Sequence, residues 1–133
     1  METSQVDLDK AVLKDLTVDK ESKIEDYTGH KALMVDFANE YIGGGASSFG
    51  NVQEEILFCI YPELFVAQLL CERMDPHEAI VITGVRKYSS YTGYGESLQY
   101  AKLPEKQQHS LVDSVGSTFI AIDAVVSDRR LSK

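Results

Sequence analysis

Apolar positions gather in a few blocks along this chain, and their spacing separates strands from helices. Ala32-Leu33-Met34-Val35-Asp36-Phe37-Ala38-Asn39 is a nearly continuous apolar run of strand length and predicts a buried strand over 32–38. Ala79-Ile80-Val81-Ile82-Thr83, bounded by Gly84, and Phe119 to Val126 have the same unbroken character, which suits strands covered on both faces. Between them, a helix is expected from Val52 to about Ile60, with Asn51 as N-cap and Asn51-x-x-Glu54 in the form of a capping box. Pro62 stops it, because the residue before a proline is pushed out of the α region. A second helix with Pro62 in its first turn carries Leu64, Phe65, Val66, Leu69 and Leu70 on a wide apolar face and closes at Asp75-Pro76.

The remaining segments are patterned less strongly. Residues 1–22 are polar, with Leu8, Val12, Leu13 and Leu16 at rough helical spacing, which predicts a marginal amphipathic element that needs a neighbour. Lys23 to Tyr27 is expected to be a first strand, turning at Thr28-Gly29-His30 to lie beside the strand at 32–38. Tyr88 to Gly95 reads as a turn-bearing segment and 102–116 as a polar loop, and no internal repeat or low-complexity tract is present.

A chain of 133 residues is one domain at most. Its 44% hydrophobic and 26% charged content are ordinary for a soluble globular protein, and no apolar run approaches a membrane span. The absence of a secretory signal at Met1-Glu2-Thr3-Ser4 sets the expectation of a nuclear or cytoplasmic location. Cys59 and Cys71 lack a CxxC spacing, so buried reduced thiols are expected rather than a disulfide or zinc site. A formal charge of −8 and no basic stripe exclude a general nucleic-acid binder. The same charge means that any polyanionic ligand must be held by local donors.

The chemistry is concentrated in Gly43-Gly44-Gly45, seven residues of spacer, then Gln53-Glu54-Glu55. Consecutive glycines reach positive φ and let main chain approach a ligand closely, so their N–H groups are expected to point inward and bind a diphosphate. They lie where a strand ends and a helix begins, the usual ligand position in α/β folds. Taken singly, each part has an ordinary structural reading: a flexible turn for the glycines, first-turn acids for the glutamates. His30, His77 and His109 have no partner pattern and are expected to be solvated.

In order and spacing, these residues resemble the poly(ADP-ribose) glycohydrolase family, whose signature is three glycines, a spacer of six to eight residues, then Gln-Glu-Glu. The resemblance continues through Val35-Asp36-Phe37-Ala38-Asn39, Pro62-Glu63-Leu64, Ile82-Thr83-Gly84, Tyr91-Thr92-Gly93-Tyr94 and Ala121-Ile122-Asp123-Ala124, covering about residues 24–126. It implies a macrodomain-type three-layer α/β/α sandwich with a mixed sheet, incomplete at both ends, over 23–133, with 1–22 as part of a helical accessory region. The implied activity is hydrolysis of ribose–ribose O-glycosidic bonds in poly(ADP-ribose), with no cofactor and no metal. On the resemblance, Glu55 is the acid/base, Glu54 holds substrate hydroxyls, and Gln53 helps to fix that geometry. The diphosphate falls to Gly43, Gly44 and Gly45, a ribose hydroxyl to Asn39, the adenosine end to Tyr94, and adenine to Ile24 and Glu25. Neighbouring helix residues point about 100° apart, so the two carboxylates are expected to divide into one acid and one positioner. At a helix N-terminus the ionised form is favoured, so the acid is expected to take its proton only beside the bound diphosphate.

The implied partners are poly(ADP-ribose) and the ADP-ribosylated proteins of the DNA damage response, without sequence-specific nucleic-acid binding and without a membrane. The family pattern goes on to a Gly- and aromatic-rich loop after the last matched strand, and the chain stops first, at Arg129-Arg130-Leu131-Ser132-Lys133. Two alternatives to turnover follow: an ADP-ribose-binding module that does not cut, and a truncated inactive form.

Overall fold

The computed structural model describes residues 12, 15–27, 32–105 and 116–124. Its strands are β1 (Leu33–Ala38), β2 (Ala79–Val85), β3 (Ser90–Thr92), β4 (Gln99–Ala101) and β5 (Ser117–Asp123); its helices are α1 (Gln53–Ile60) and α2 (Phe65–Leu70). Three strands form a mixed sheet in the order β1-β5-β2, with β5 parallel to β1 and antiparallel to β2, while β3 and β4 make a separate hairpin. The three apolar runs of the sequence are therefore the three strands of one sheet. Their pairing is fixed by alternation, since a slip of one residue would turn Met34, Phe119 and Ala121 out of the core.

The core lies between one face of this sheet and α1. Phe58, Leu57, Ile60 and Tyr61 pack against Met34, Ala38, Phe119 and Ala121, with the Tyr61 and Phe119 rings edge-on at 4.9 Å. Such edge-to-face pairs contribute about 1 kcal/mol beyond their buried area. The opposite face carries Leu33, Phe37, Val81 and Ile122, all exposed, so the expectation of strands covered on both faces does not hold among the described residues. The apolar runs are unbroken because one face makes the core and the other, exposed among the described residues, is apolar as well.

Several boundaries differ from the sequence expectation for identifiable reasons. Lys23 to Tyr27 is not a strand: Ile24–Asp26 is a 3₁₀ turn, closed by Asp26 N–H on the Lys23 carbonyl at 3.1 Å. Glu25 is drawn inward there by the Tyr91 hydroxyl. The N-cap of α1 is Val52 rather than Asn51, and the box is one residue later, with Glu55 accepting from Val52 N–H at 3.1 Å. Glu54 cannot serve as the capping acid because its carboxylate is taken elsewhere. The second helix stops at Leu70 rather than near Asp75, where Met74 turns into the core and its N–H bonds the Glu40 carbonyl at 2.8 Å. Of its predicted apolar face, Leu64 is buried and Phe65 packs on Phe58, while Val66, Leu69 and Leu70 are exposed. Gly84 does not end β2; it makes a bulge inside it, with φ of 84°.

Val12 and Leu16 are exposed and residues 15–19 have no regular structure; Leu8 and Leu13, the turn at Thr28-Gly29-His30 and most of the 102–116 loop lie outside the described residues. Cys59 is exposed and Cys71 half-buried, both free, which corrects the expectation of buried thiols. Among the described residues no helix is long and apolar enough to cross a membrane.

Candidate active site

The end of β1, the glycine loop and the start of α1 meet at one point, and hydrogen bonds rather than proximity alone bring them together. Gln53 makes the first join. Among the described residues β1 is an edge strand, and the Gln53 amide completes its free edge by accepting from Phe37 N–H and donating to the Val35 carbonyl, both at 2.9 Å. Both ends of this side chain are thus engaged with main chain. That clamps the first turn of α1 to the strand and blocks the edge from other pairing.

With α1 held so, its next two residues enter the junction. Glu54 Oε1 accepts from Gly43 N–H at 2.5 Å and Oε2 from Asn39 N–H at 3.0 Å. Glu55 Oε1 accepts from Gly45 N–H at 3.0 Å and Oε2 from Val52 N–H at 3.1 Å. All four carboxylate oxygens are met by main-chain donors. Gly44 N–H bonds the Tyr41 carbonyl at 3.1 Å. The three glycine N–H groups are therefore engaged within the protein, not free as the spacing alone led one to expect. Two buried carboxylates in reach of those donors take them, since a buried ion without hydrogen bonds is far costlier than a solvated phosphate left unbound.

The glycines serve close approach as well as donation. A Cβ on Gly44 would stand 2.7 Å from Glu54 Oε2 and 2.9 Å from Glu55 Oε1, so its bare Cα faces the gap between the two carboxylates. Gly43 and Gly44 have φ of 88° and 44°, in the left-handed region that favours glycine. Gly50, which sequence reading passed over, backs onto the Glu55 side chain, where an added Cβ would stand 2.7 Å from Oε1.

A third carboxylate lies close by. Asp36, on the core-facing side of β1, is 2% exposed, and its Oδ1 has no hydrogen-bond partner. Burial first, then the charges of Glu54 and Glu55, push its carboxyl up to about 7. Burial also raises Glu54 above the ordinary carboxylate range, against the bonds from Gly43 and Asn39 that lower it. Asp36 entered the sequence reading only as part of a motif. The available signal was an ionisable residue in the middle of an apolar strand.

Asn39, exposed at the end of β1, accepts Tyr41 N–H on its side-chain oxygen at 3.0 Å, and its own N–H holds Glu54. Ile24 and Glu25 lie in the 3₁₀ turn before β1. Glu25 is 7% exposed and accepts a short hydrogen bond from the Tyr91 hydroxyl. Lys87 donates to the Glu25 carbonyl at 3.1 Å, and the Lys23 ammonium stands 3.7 Å above the Tyr91 ring. Tyr91 was likewise missed as a side chain that holds Glu25. Tyr94, half exposed, follows β3 in the turn whose Gly95 N–H bonds the Asn51 carbonyl at 3.2 Å, which ties the hairpin to the entry of α1. Among the described residues no group of three or more His, Cys, Asp or Glu side chains is placed to hold a metal ion.

A family model described as poly(ADP-ribose) glycohydrolase, macro domain fold, matches residues 3–133. Poly(ADP-ribose) glycohydrolase 1 of Caenorhabditis elegans is 46% identical over 100 residues, covering 70% of this chain and 13% of that protein. Poly(ADP-ribose) glycohydrolase 1 of Arabidopsis thaliana is 44% identical over 99 residues, covering 74% of this chain and 18% of that protein. A probable poly(ADP-ribose) glycohydrolase 2 of the same plant is 55% identical over 71 residues, 53% of this chain and 14% of that protein. The chain thus spans less than a fifth of the length of these relatives.

Proposed function

This chain belongs to the poly(ADP-ribose) glycohydrolase family, which has the macrodomain fold, and we propose that it hydrolyses ribose–ribose O-glycosidic bonds in poly(ADP-ribose), releasing ADP-ribose. The observation that carries this reading is the separate anchoring of two adjacent buried carboxylates. Glu54 is bound back to the end of β1, and Glu55 to the loop and to its own helix start. Neither can swing into the other's place, so one fold position gives two roles.

In the proposed reaction Glu54, with Asn39, holds hydroxyls of the ribose whose bond is cut. Glu55 in its protonated form gives its proton to the leaving ribose oxygen as the C–O bond breaks. Water then adds to the oxocarbenium carbon and returns a proton to the Glu55 carboxylate, which closes the cycle without a covalent enzyme intermediate or a metal. This differs from a pair of carboxylates flanking the bond, since here both lie on one helix turn. Asp36, held largely protonated below about pH 7, keeps a third negative charge out of the site. Gly43, Gly44 and Gly45 act as the frame of the carboxylates, Gln53 as the clamp of α1, and Ile24, Glu25 and Tyr94 as the adenosine side. On this reading the partners are the polymer and the ADP-ribosylated proteins bearing it, with the DNA damage response as the setting and the nucleus or cytoplasm as the compartment.

The test compares the parent chain with Glu55→Gln on purified poly(ADP-ribose), measuring ADP-ribose release by chromatography and polymer retention by filter binding. The parent should release ADP-ribose, and Glu55→Gln should bind comparably while losing roughly a hundredfold or more in turnover. Equal turnover by the two overturns the acid/base assignment. Binding without release by the parent overturns hydrolysis in favour of a non-cutting reader of ADP-ribose.

A further inference from the structure

Next to Gly50, which backs onto Glu55, the glycine loop carries a phenyl ring with no cover. Phe49 is 98% exposed. The loop holding it is nevertheless tightly bonded. Ser48 N–H, Ser48 Oγ and Gly50 N–H all reach the Gly45 carbonyl, at 2.9, 3.1 and 3.0 Å. Ser47 Oγ donates to Gln68 on α2 at 3.0 Å, and the following residue, Asn51, accepts Gly95 N–H. A large apolar side chain is therefore held in water by a fixed main chain, at the rim of the site.

The bonds and close approaches also set an order along that rim. Asn39 holds Glu54, Gly44 faces the gap between Glu54 and Glu55, Gly50 backs onto Glu55, and Phe49 adjoins Gly50. If Asn39 and Glu54 hold the ribose that is cut and Glu55 meets the leaving oxygen, the next unit of the polymer runs out past Gly50. From this placement, and resting on the hydrolase reading above, we propose that Phe49 determines specificity by stacking the adenine of the ADP-ribose unit on the leaving side of the scissile bond. The residue type suits a chain of charge −8 that must grip a polyanion, because an aromatic face binds a base without an ammonium group. It also makes the chain a reader of polymer rather than of single units.

The chain contains no tryptophan, so Phe49→Trp introduces one emitter at the proposed contact. Placed in the Glu55→Gln background to stop cleavage, it is titrated with poly(ADP-ribose) and separately with monomeric ADP-ribose. Polymer should quench the emission strongly and the monomer should leave it unchanged; Leu69→Trp, on the 84% exposed position of α2, should respond to neither. In the parent background, Phe49→Ala should raise KM for polymer roughly tenfold, the scale of one lost base stack, and Phe49→Trp should restore it. Emission unmoved by polymer, emission moved equally by the monomer, or an unchanged KM in Phe49→Ala each overturns the proposal. Failure of the hydrolase reading is visible separately, as polymer that the parent binds without releasing ADP-ribose.

Discussion

Asp36 is a residue whose chemistry the surrounding fold changes strongly. An aspartate in water titrates near 3.8, but this one is buried beside two other carboxylates and is pushed up to about 7. Across that window the folded protein holds a proton that the unfolded chain has released, so stability is greatest at the acid end and falls as pH rises towards 7. The loss amounts to at most about 4 kcal/mol by the linkage relation. Asp36→Asn should flatten the dependence of urea-denaturation free energy on pH between about 4 and 7 and raise the midpoint at neutrality. An unchanged slope in the variant would show that the strain lies in another group. Glu54, raised mainly by its own burial, should supply what slope remains. An Asp between Val35 and Phe37 in an apolar run signals an unusual carboxyl, but how far it shifts depends on burial and neighbouring charge, which are properties of the folded chain.

At the scale of elements, the join between loop and helix decides the site. The pattern Gly43-Gly44-Gly45 to Gln53-Glu54-Glu55 located it, and the strand at 32–38 and the helix near 52–60 were legible because apolar runs, caps and Pro62 are local signals. What the glycines bind was not legible, because donors and acceptors find each other across 10 or 11 residues of separation only when the loop closes. Gly50 tests the join. Its φ lies outside the left-handed region, so alanine is allowed by the backbone, yet the new Cβ would stand 2.6 Å from Glu55 Cδ. Gly50→Ala should therefore cut turnover about a hundredfold, the usual cost of a misplaced catalytic group, while circular dichroism shows an intact fold. Turnover equal to the parent would mean that Glu55 need not be held where it is. The end of α2 shows the opposite limit: helical spacing continued past Leu70, and Met74 overrode it by entering the core.

For the whole molecule, a charge of −8 and a polyanionic substrate repel at long range. Recognition through main chain, carboxylates and aromatic faces predicts that KM for polymer will stay level or fall between about 50 and 200 mM salt, the reverse of a lysine-based binder. A KM rising steeply with salt would point to a basic surface outside the described residues. The sheet order β1-β5-β2 joins segments more than eighty residues apart in sequence, and it brings Phe119 and Ala121 beneath α1. By itself the sequence determined the family, the strand and helix runs, and the motif that carries the carboxylates, because these are written in local periodicity and spacing. Only the tertiary structure decided that the glycine N–H groups hold Glu54 and Glu55, that Gln53 seals an edge strand, and that Asp36 lies beneath as a third carboxyl. Those outcomes depend on which buried acceptor meets which donor once water is excluded, a competition among groups brought together by the fold.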